Sequence, residues 1–109
     1  MASDQPWKPP EATIEIRKLA RDERLPLTYT RHIRERMAER DLTTGDVLYV
    51  LKHGFVYEAP EESTRLRYYK YRIESRSPNS GSRAVRVVAI PDINNCEMKL
   101  VTVMYVDES

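Results

Sequence analysis

The stretch Tyr29–Gly54, YTRHIRERMAERDLTTGDVLYVLKHG, decides how the rest of the chain is read. Ile33 and Met37 lie one helical turn apart, and His32, Arg36 and then Glu39 or Arg40 repeat at helical spacing beside them. That pattern predicts a short helix with a narrow apolar stripe and a polar, mostly basic flank. Asp41-Leu42-Thr43 breaks it. Thr43 is followed three residues on by Asp46, a capping-box-like start for a second helix. Val47, Leu48 and Leu51 make the buried stripe of that helix, and Gly54 supplies its stop.

Upstream, Ala12, Ile16, Leu19 and Ala20 recur at helical spacing, with Pro10 in the first turn, where its missing N–H costs nothing. This helix runs to about Glu23, and Pro26 prevents its continuation. Leu25 to Thr28 reads as an apolar connector. Residues 1–10, with Pro6, Pro9 and Pro10, read as an extended or disordered leader in which Trp7 alone invites packing. The domain is then 11–109.

Downstream of Gly54 the period changes from helical to alternating. Strands are expected at Phe55 to Glu58, Leu66 to Glu74, Ala84 to Ile90 and Met98 to Val106. Glu61 to Thr64 reads as a turn, and Ser75 to Ser82, with Pro78, Asn79 and Gly81, as a mobile loop. The last two strands are apolar on both faces and should be central; the Phe55 strand should lie at an edge. Helices before Gly54 and antiparallel strands after it define an α+β fold, with helices on one face of the sheet.

The 109 residues suit one domain with a modest core, and the formal net charge of +1 carries no global signal for nucleic acid or membrane. Placement is more informative. Basic residues crowd Arg31 to Arg40 and Arg65 to Arg86, while acidic ones gather at Glu58 to Glu62 and Asp107-Glu108. A solvated charged surface and a functional basic patch both fit this. The single Cys96 excludes an intramolecular disulfide, and with two histidines far apart a zinc site is not expected. No apolar run is long enough for a signal peptide or a membrane span, so a cytoplasmic location is the default.

The pattern Thr30-x-His32-x-x-x-Arg36-Met37-x-x-Arg40, then Asp46-Val47, Val50-Leu51-x-x-Gly54 and the ending Val101-Thr102-Val103-x-Tyr105, resembles a bacterial family catalogued as domain of unknown function 4258. The resemblance runs from about Ile14 to Tyr105. That family is grouped with the RelE/ParE-like toxins, which include BrnT-type ribonucleases. The resemblance implies a RelE-like fold, RNA as ligand, metal-independent endoribonuclease activity without a cofactor, and an antitoxin protein as partner.

His32 is the leading catalytic candidate, because an imidazole titrating near neutrality can move a proton during phosphodiester cleavage. Arg36, one turn away, could stabilise the phosphorane. The competing reading is structural: His32 caps a helix or bonds a strand, and Arg36 holds a carboxylate such as Glu58. Arg86, alone in an apolar strand, must face a wet groove or form an ion pair with Glu74 or Glu97. The resemblance places it in the RNA groove, on the sheet face away from the helices, where it would be catalytic, binding the scissile phosphate with Arg36 and stabilising its developing charge. Lys70 and Arg72 share one strand face and Tyr69 and Tyr71 the other; the tyrosines are read as packing, and Lys70, Arg72, Arg40 and Thr102 as RNA contacts. Thr102 could equally satisfy a backbone group. His53, at a helix C-terminus, is assigned to structure. Cys96 has no base beside it in sequence and is read as incidental.

Overall fold

A computed structural model describes residues 4–108. The chain runs α1 (Pro9–Arg21), β1 (Leu27–Tyr29), α2 (Arg31–Glu39), α3 (Thr44–His53), β2 (Phe55–Val56), β3 (Glu61–Glu62), β4 (Tyr69–Ser75), β5 (Val85–Asp92), β6 (Glu97–Tyr105) and a 3-10 turn, Val106–Glu108. The sheet order is β1-β6-β5-β4-β2, with β3 also pairing with β4. The helices cover one sheet face, so the α+β layering expected from the period switch at Gly54 is what the chain adopts.

The core lies between those layers. Ile33 and Met37 of α2, Val47, Val50 and Leu51 of α3, and Ala12 and Ile16 of α1 pack against Tyr71, Ile73, Val85, Val87, Leu100 and Val103 of the sheet. Alternation then sends Arg72, Glu74, Arg86, Val88 and Thr102 to the opposite face.

α2 ends in a Schellman motif. Asp41 takes a left-handed φ of 55°, Leu42 N–H donates to the Met37 carbonyl at 2.9 Å, and Leu42 is buried. The capping box opens α3 as expected: Asp46 N–H donates to the Thr43 hydroxyl at 3.2 Å, and Thr43 N–H to the Asp46 carboxylate at 2.8 Å. The last carbonyls of α3 are satisfied by α1. Arg17 reaches Gly54 and His53 carbonyls at 2.9 and 3.0 Å, and Arg21 reaches Lys52 at 3.1 Å.

Gly54 does stop α3, but not by adopting a left-handed conformation; its φ is −77°. A Cβ there would lie 2.6 Å from the Val50 carbonyl oxygen and 2.9 Å from that of Glu74. Glycine is required because β4 passes too close for any side chain. Gly54→Ala is expected to cost about 1–3 kcal/mol, the range for forced overpacking. A thermal melt unchanged from wild type would contradict the close approach.

Four expectations need correction. The 1–10 leader is not disordered over its described part, since Trp7 is 1% exposed and its N–H donates to the Tyr71 hydroxyl at 2.8 Å. Residues 1–3 of that leader lie outside the described residues. Within the Leu25 to Thr28 connector and running on to Tyr29, β1 pairs in parallel with β6, Leu27 opposite Met98; three residues are too few to show a period. Glu61 and Glu62, read as a turn, form β3 opposite Lys70 and Tyr69. The Ser75 to Ser82 loop is docked rather than mobile, because Asn79 bonds the buried Asp46 carboxylate through both its backbone and its side-chain N–H, each at 3.0 Å.

Candidate functional site

The predicted residues fall into two groups, one on α2 and one on the outer sheet face. Thr30 caps α2, accepting from Ile33 N–H at 3.2 Å, and its hydroxyl also lies 2.9 and 3.0 Å from the Leu100 and Val101 carbonyls of β6. Val101 is the extra residue of a bulge, since Val88 pairs with Thr102 but Ala89 with Leu100. The bulge thus anchors the helix that carries His32. His32 itself is exposed. Arg36 does hold a carboxylate, but it is Glu39, at 2.7 Å, rather than Glu58. Arg40 touches Glu39 at 3.2 Å and Glu108 at 2.9 Å. Hydrogen bonding from Arg36, helped by Arg40, holds the Glu39 carboxyl below its ordinary range.

On the outer face, Arg72, Val88 and Thr102 form one row across β4, β5 and β6, and Glu74, Arg86 and Met104 the next. Arg86 donates to Glu74 at 2.8 Å, with their side chains 14% and 15% exposed. Of its two sequence readings, the ion pair with Glu74 is what the strand register produces. Arg72 bonds Glu61 and lies 3.7 Å from Glu58. Lys70 stands opposite Glu61. Tyr71 packs in the core against Trp7, ring centroids 5.3 Å apart, as the packing reading of the tyrosines requires.

His32 and Arg86 therefore sit in different layers. His32 belongs to a helix whose Ile33 and Met37 face the core, and Arg86 projects from the far side of the sheet.

A third constellation was not read from sequence. A polar cleft of about 440 Å³ is lined by Arg40 from α2, Asn79 and Arg83 from the segment before β5, Tyr105 from β6 and Glu108 from the 3-10 turn. The Arg83 guanidinium lies 3.6 Å from the centroid of the Tyr105 ring. It also grips Asp107 through two N–H groups, at 3.0 and 2.7 Å. Those bonds hold the Asp107 carboxyl below its usual value, as the Arg40 bond does for Glu108. The only sequence signal was charge: Arg83 belongs to the basic Arg65 to Arg86 run, and Asp107-Glu108 to the acidic group. No group of three potential metal ligands gathers among the described residues. No helix among them is long and apolar enough to cross a membrane.

The model of a family described as Domain of unknown function (DUF4258) matches residues 29–105. The chain belongs to this family. The DUF4258 match begins at β1 and ends on Tyr105, so it covers α2, α3 and every later strand. Trp7 and α1, which close the core and cap α3, lie outside the DUF4258 span. No curated protein and no solved structure matches the chain.

Proposed function

We propose that this chain is a cytoplasmic, toxin-like RNA-binding protein of the RelE/ParE kind, with an antitoxin protein as its partner. The outer sheet face carries the reading. Among the described residues the helices pack on the opposite face, and this face sets Lys70, Arg72, Arg86 and the Thr102 hydroxyl on adjacent strands. Cations and hydroxyls in rows across neighbouring strands suit a phosphate backbone, and backbone contacts dominate affinity for nucleic acid. Endoribonuclease activity is the finer form of the proposal. It assigns the proton transfer to the exposed His32 and charge stabilisation to Arg36, once Arg36 is released from Glu39. It also requires the RNA to run from the outer face past the sheet edge to α2, because the two lie in different layers.

One observation favours the alternative, a non-enzymatic module binding nucleic acid or protein with a structural His-Arg helix. Arg36, Arg40, Arg72 and Arg86 each hold a carboxylate. An arginine already paired has less to offer a phosphate.

An RNA titration across salt separates RNA binding from the protein-binding form of the alternative, and a cleavage assay separates the enzyme from a nucleic-acid-binding module. Each phosphate neutralised on a single strand contributes a slope of about −0.7 in log affinity against log salt. Binding should weaken steeply with salt, and Lys70→Gln with Arg72→Gln should both weaken and flatten it. No binding at low salt, or a flat slope, supports the protein-binding module. For the finer claim, RNA is incubated in chelator with wild type and His32→Ala, alongside thermal melts. Cleavage by wild type, lost in a mutant that melts normally, supports the nuclease. A wild type that cleaves nothing removes it.

A further inference from the structure

We propose that the cleft holding Arg40 and Arg83 is a phosphate-binding site, occupied in this structure by the protein's own Asp107 and Glu108 carboxylates. The proposal rests on the RNA reading above and deepens it by naming where one backbone phosphate binds.

Arg40 and Arg83 come from the end of α2 and from the segment before β5, and Tyr105 joins them. Its hydroxyl donates to the Arg40 carbonyl at 3.2 Å, and its ring lies under the Arg83 guanidinium. Tyr105 thus carries the Arg83 guanidinium on its ring and fixes the Arg40 backbone with its hydroxyl, and both arginines line the same cleft. Arg83 presents Nε and Nη2 to the two Asp107 oxygens, and Arg40 Nε lies 3.0 and 2.9 Å from the two Glu108 oxygens. A planar fork that takes two carboxylate oxygens takes two phosphate oxygens in the same way. Arg36 adds a third cation through the Glu39 it shares with Arg40.

Charge decides whether the site is open. Arg40 and Arg83 line the cleft with Glu39, Asp41 and Glu108. Counting Arg36, joined through Glu39, and Asp107, joined through Arg83, three arginines meet four carboxylates with the 3-10 turn in place. Without the turn's two carboxylates, the same three arginines meet two. The turn contains no buried residue, so no fully buried side chain ties it to the fold. It therefore acts as an internal competitor for any incoming phosphate.

The test compares wild type with the double variant Asp107→Asn/Glu108→Gln, using inorganic phosphate and a single-stranded RNA oligonucleotide as separate probes in calorimetry. A turn that is closed about nine-tenths of the time leaves about one-tenth of the molecules competent, so removing it should tighten phosphate binding about tenfold. Adding Arg83→Gln should reverse the gain. If the double variant melts early, the single variant Glu108→Gln and a phosphate titration of wild type replace it. The Tyr105 amide resonance is then the readout, because that N–H donates to Glu108 at 2.7 Å and must change partner. Unchanged phosphate affinity in a folded variant, or a gain that survives Arg83→Gln, overturns the site. Tighter phosphate binding with no RNA binding keeps the site and sinks the RNA reading. RNA binding with phosphate affinity unchanged does the reverse.

Discussion

Replacing Trp7 with alanine should destabilise the protein by about 3–5 kcal/mol, the range for deleting a large buried aromatic side chain. The residue lies upstream of α1, in a proline-rich segment, yet it is 1% exposed and stacks on Tyr71 with centroids 5.3 Å apart. Its indole is part of the core cluster and packs against Tyr71 of β4. Removing it leaves a cavity lined by Tyr71 and also loosens the segment whose backbone N–H holds the Tyr71 hydroxyl at 2.8 Å. Burial works against ionisation of that phenol and pushes it up to about 12, so the hydroxyl stays neutral across the working pH range. For a domain near 100 residues each kcal/mol shifts the melting point by roughly 4–8 °C, so a fall of more than about 12 °C is expected. Trp7→Phe, which keeps a ring against Tyr71, should lose much less. Should Trp7→Ala melt within a degree or two of wild type, the segment is a leader after all.

Asp46→Ala should cost about 2–4 kcal/mol, because one buried carboxylate closes the α3 capping box and also docks the β4–β5 loop. It accepts from Thr43 N–H at 2.8 Å, Thr43 hydroxyl at 3.0 Å, and both donors of Asn79 at 3.0 Å, while being only 1% exposed. Burial alone would raise its pKa. The bonds from Thr43 and Asn79 together outweigh that and bring it down from 3.8 to about 2. The folded-state value is therefore the depressed one. Its stabilisation, about 2 kcal/mol by linkage, is fully present above pH 4 to 5 and disappears as pH falls through about 2. Asp46→Ala should abolish this part of the acid sensitivity, leaving a flatter stability curve between about pH 5 and pH 2. Amide exchange at Asn79 gives a local readout: it should accelerate in the variant well below the global unfolding temperature. A variant with the wild-type pH profile and a protected Asn79 amide would remove Asp46 from this role.

The sequence alone determined what depends on neighbours within a few residues. Helical spacing of Ile33 and Met37, the Thr43–Asp46 cap and the change to alternation after Gly54 are local, and each element formed about where its pattern placed it. The α+β layering followed, because the strands after Gly54 had to share one sheet that the helices could cover. Strand alternation also put Lys70 and Arg72 on one face of their strand, and the lone Arg86 in an apolar strand pointed to Glu74 as one of two partners. The register that sets Arg72 and Arg86 on a common face came from the fold.

Whatever depends on distant residues meeting was settled by long-range packing. Trp7 meets Tyr71 and Asp46 meets Asn79 across 64 and 33 positions, and no periodicity spans such gaps. For Arg36, Arg40 and Arg72 the sequence shows charge but not which carboxylate, if any, each one meets. Folding set Arg72 against Glu61 and Arg40 against Glu108, and a paired guanidinium is a different chemical group from a solvated one. The cleft under Arg83 is decided in the same way: its walls come from α2, the segment before β5, β6 and the 3-10 turn, and they exist only once long-range packing has closed the chain on itself.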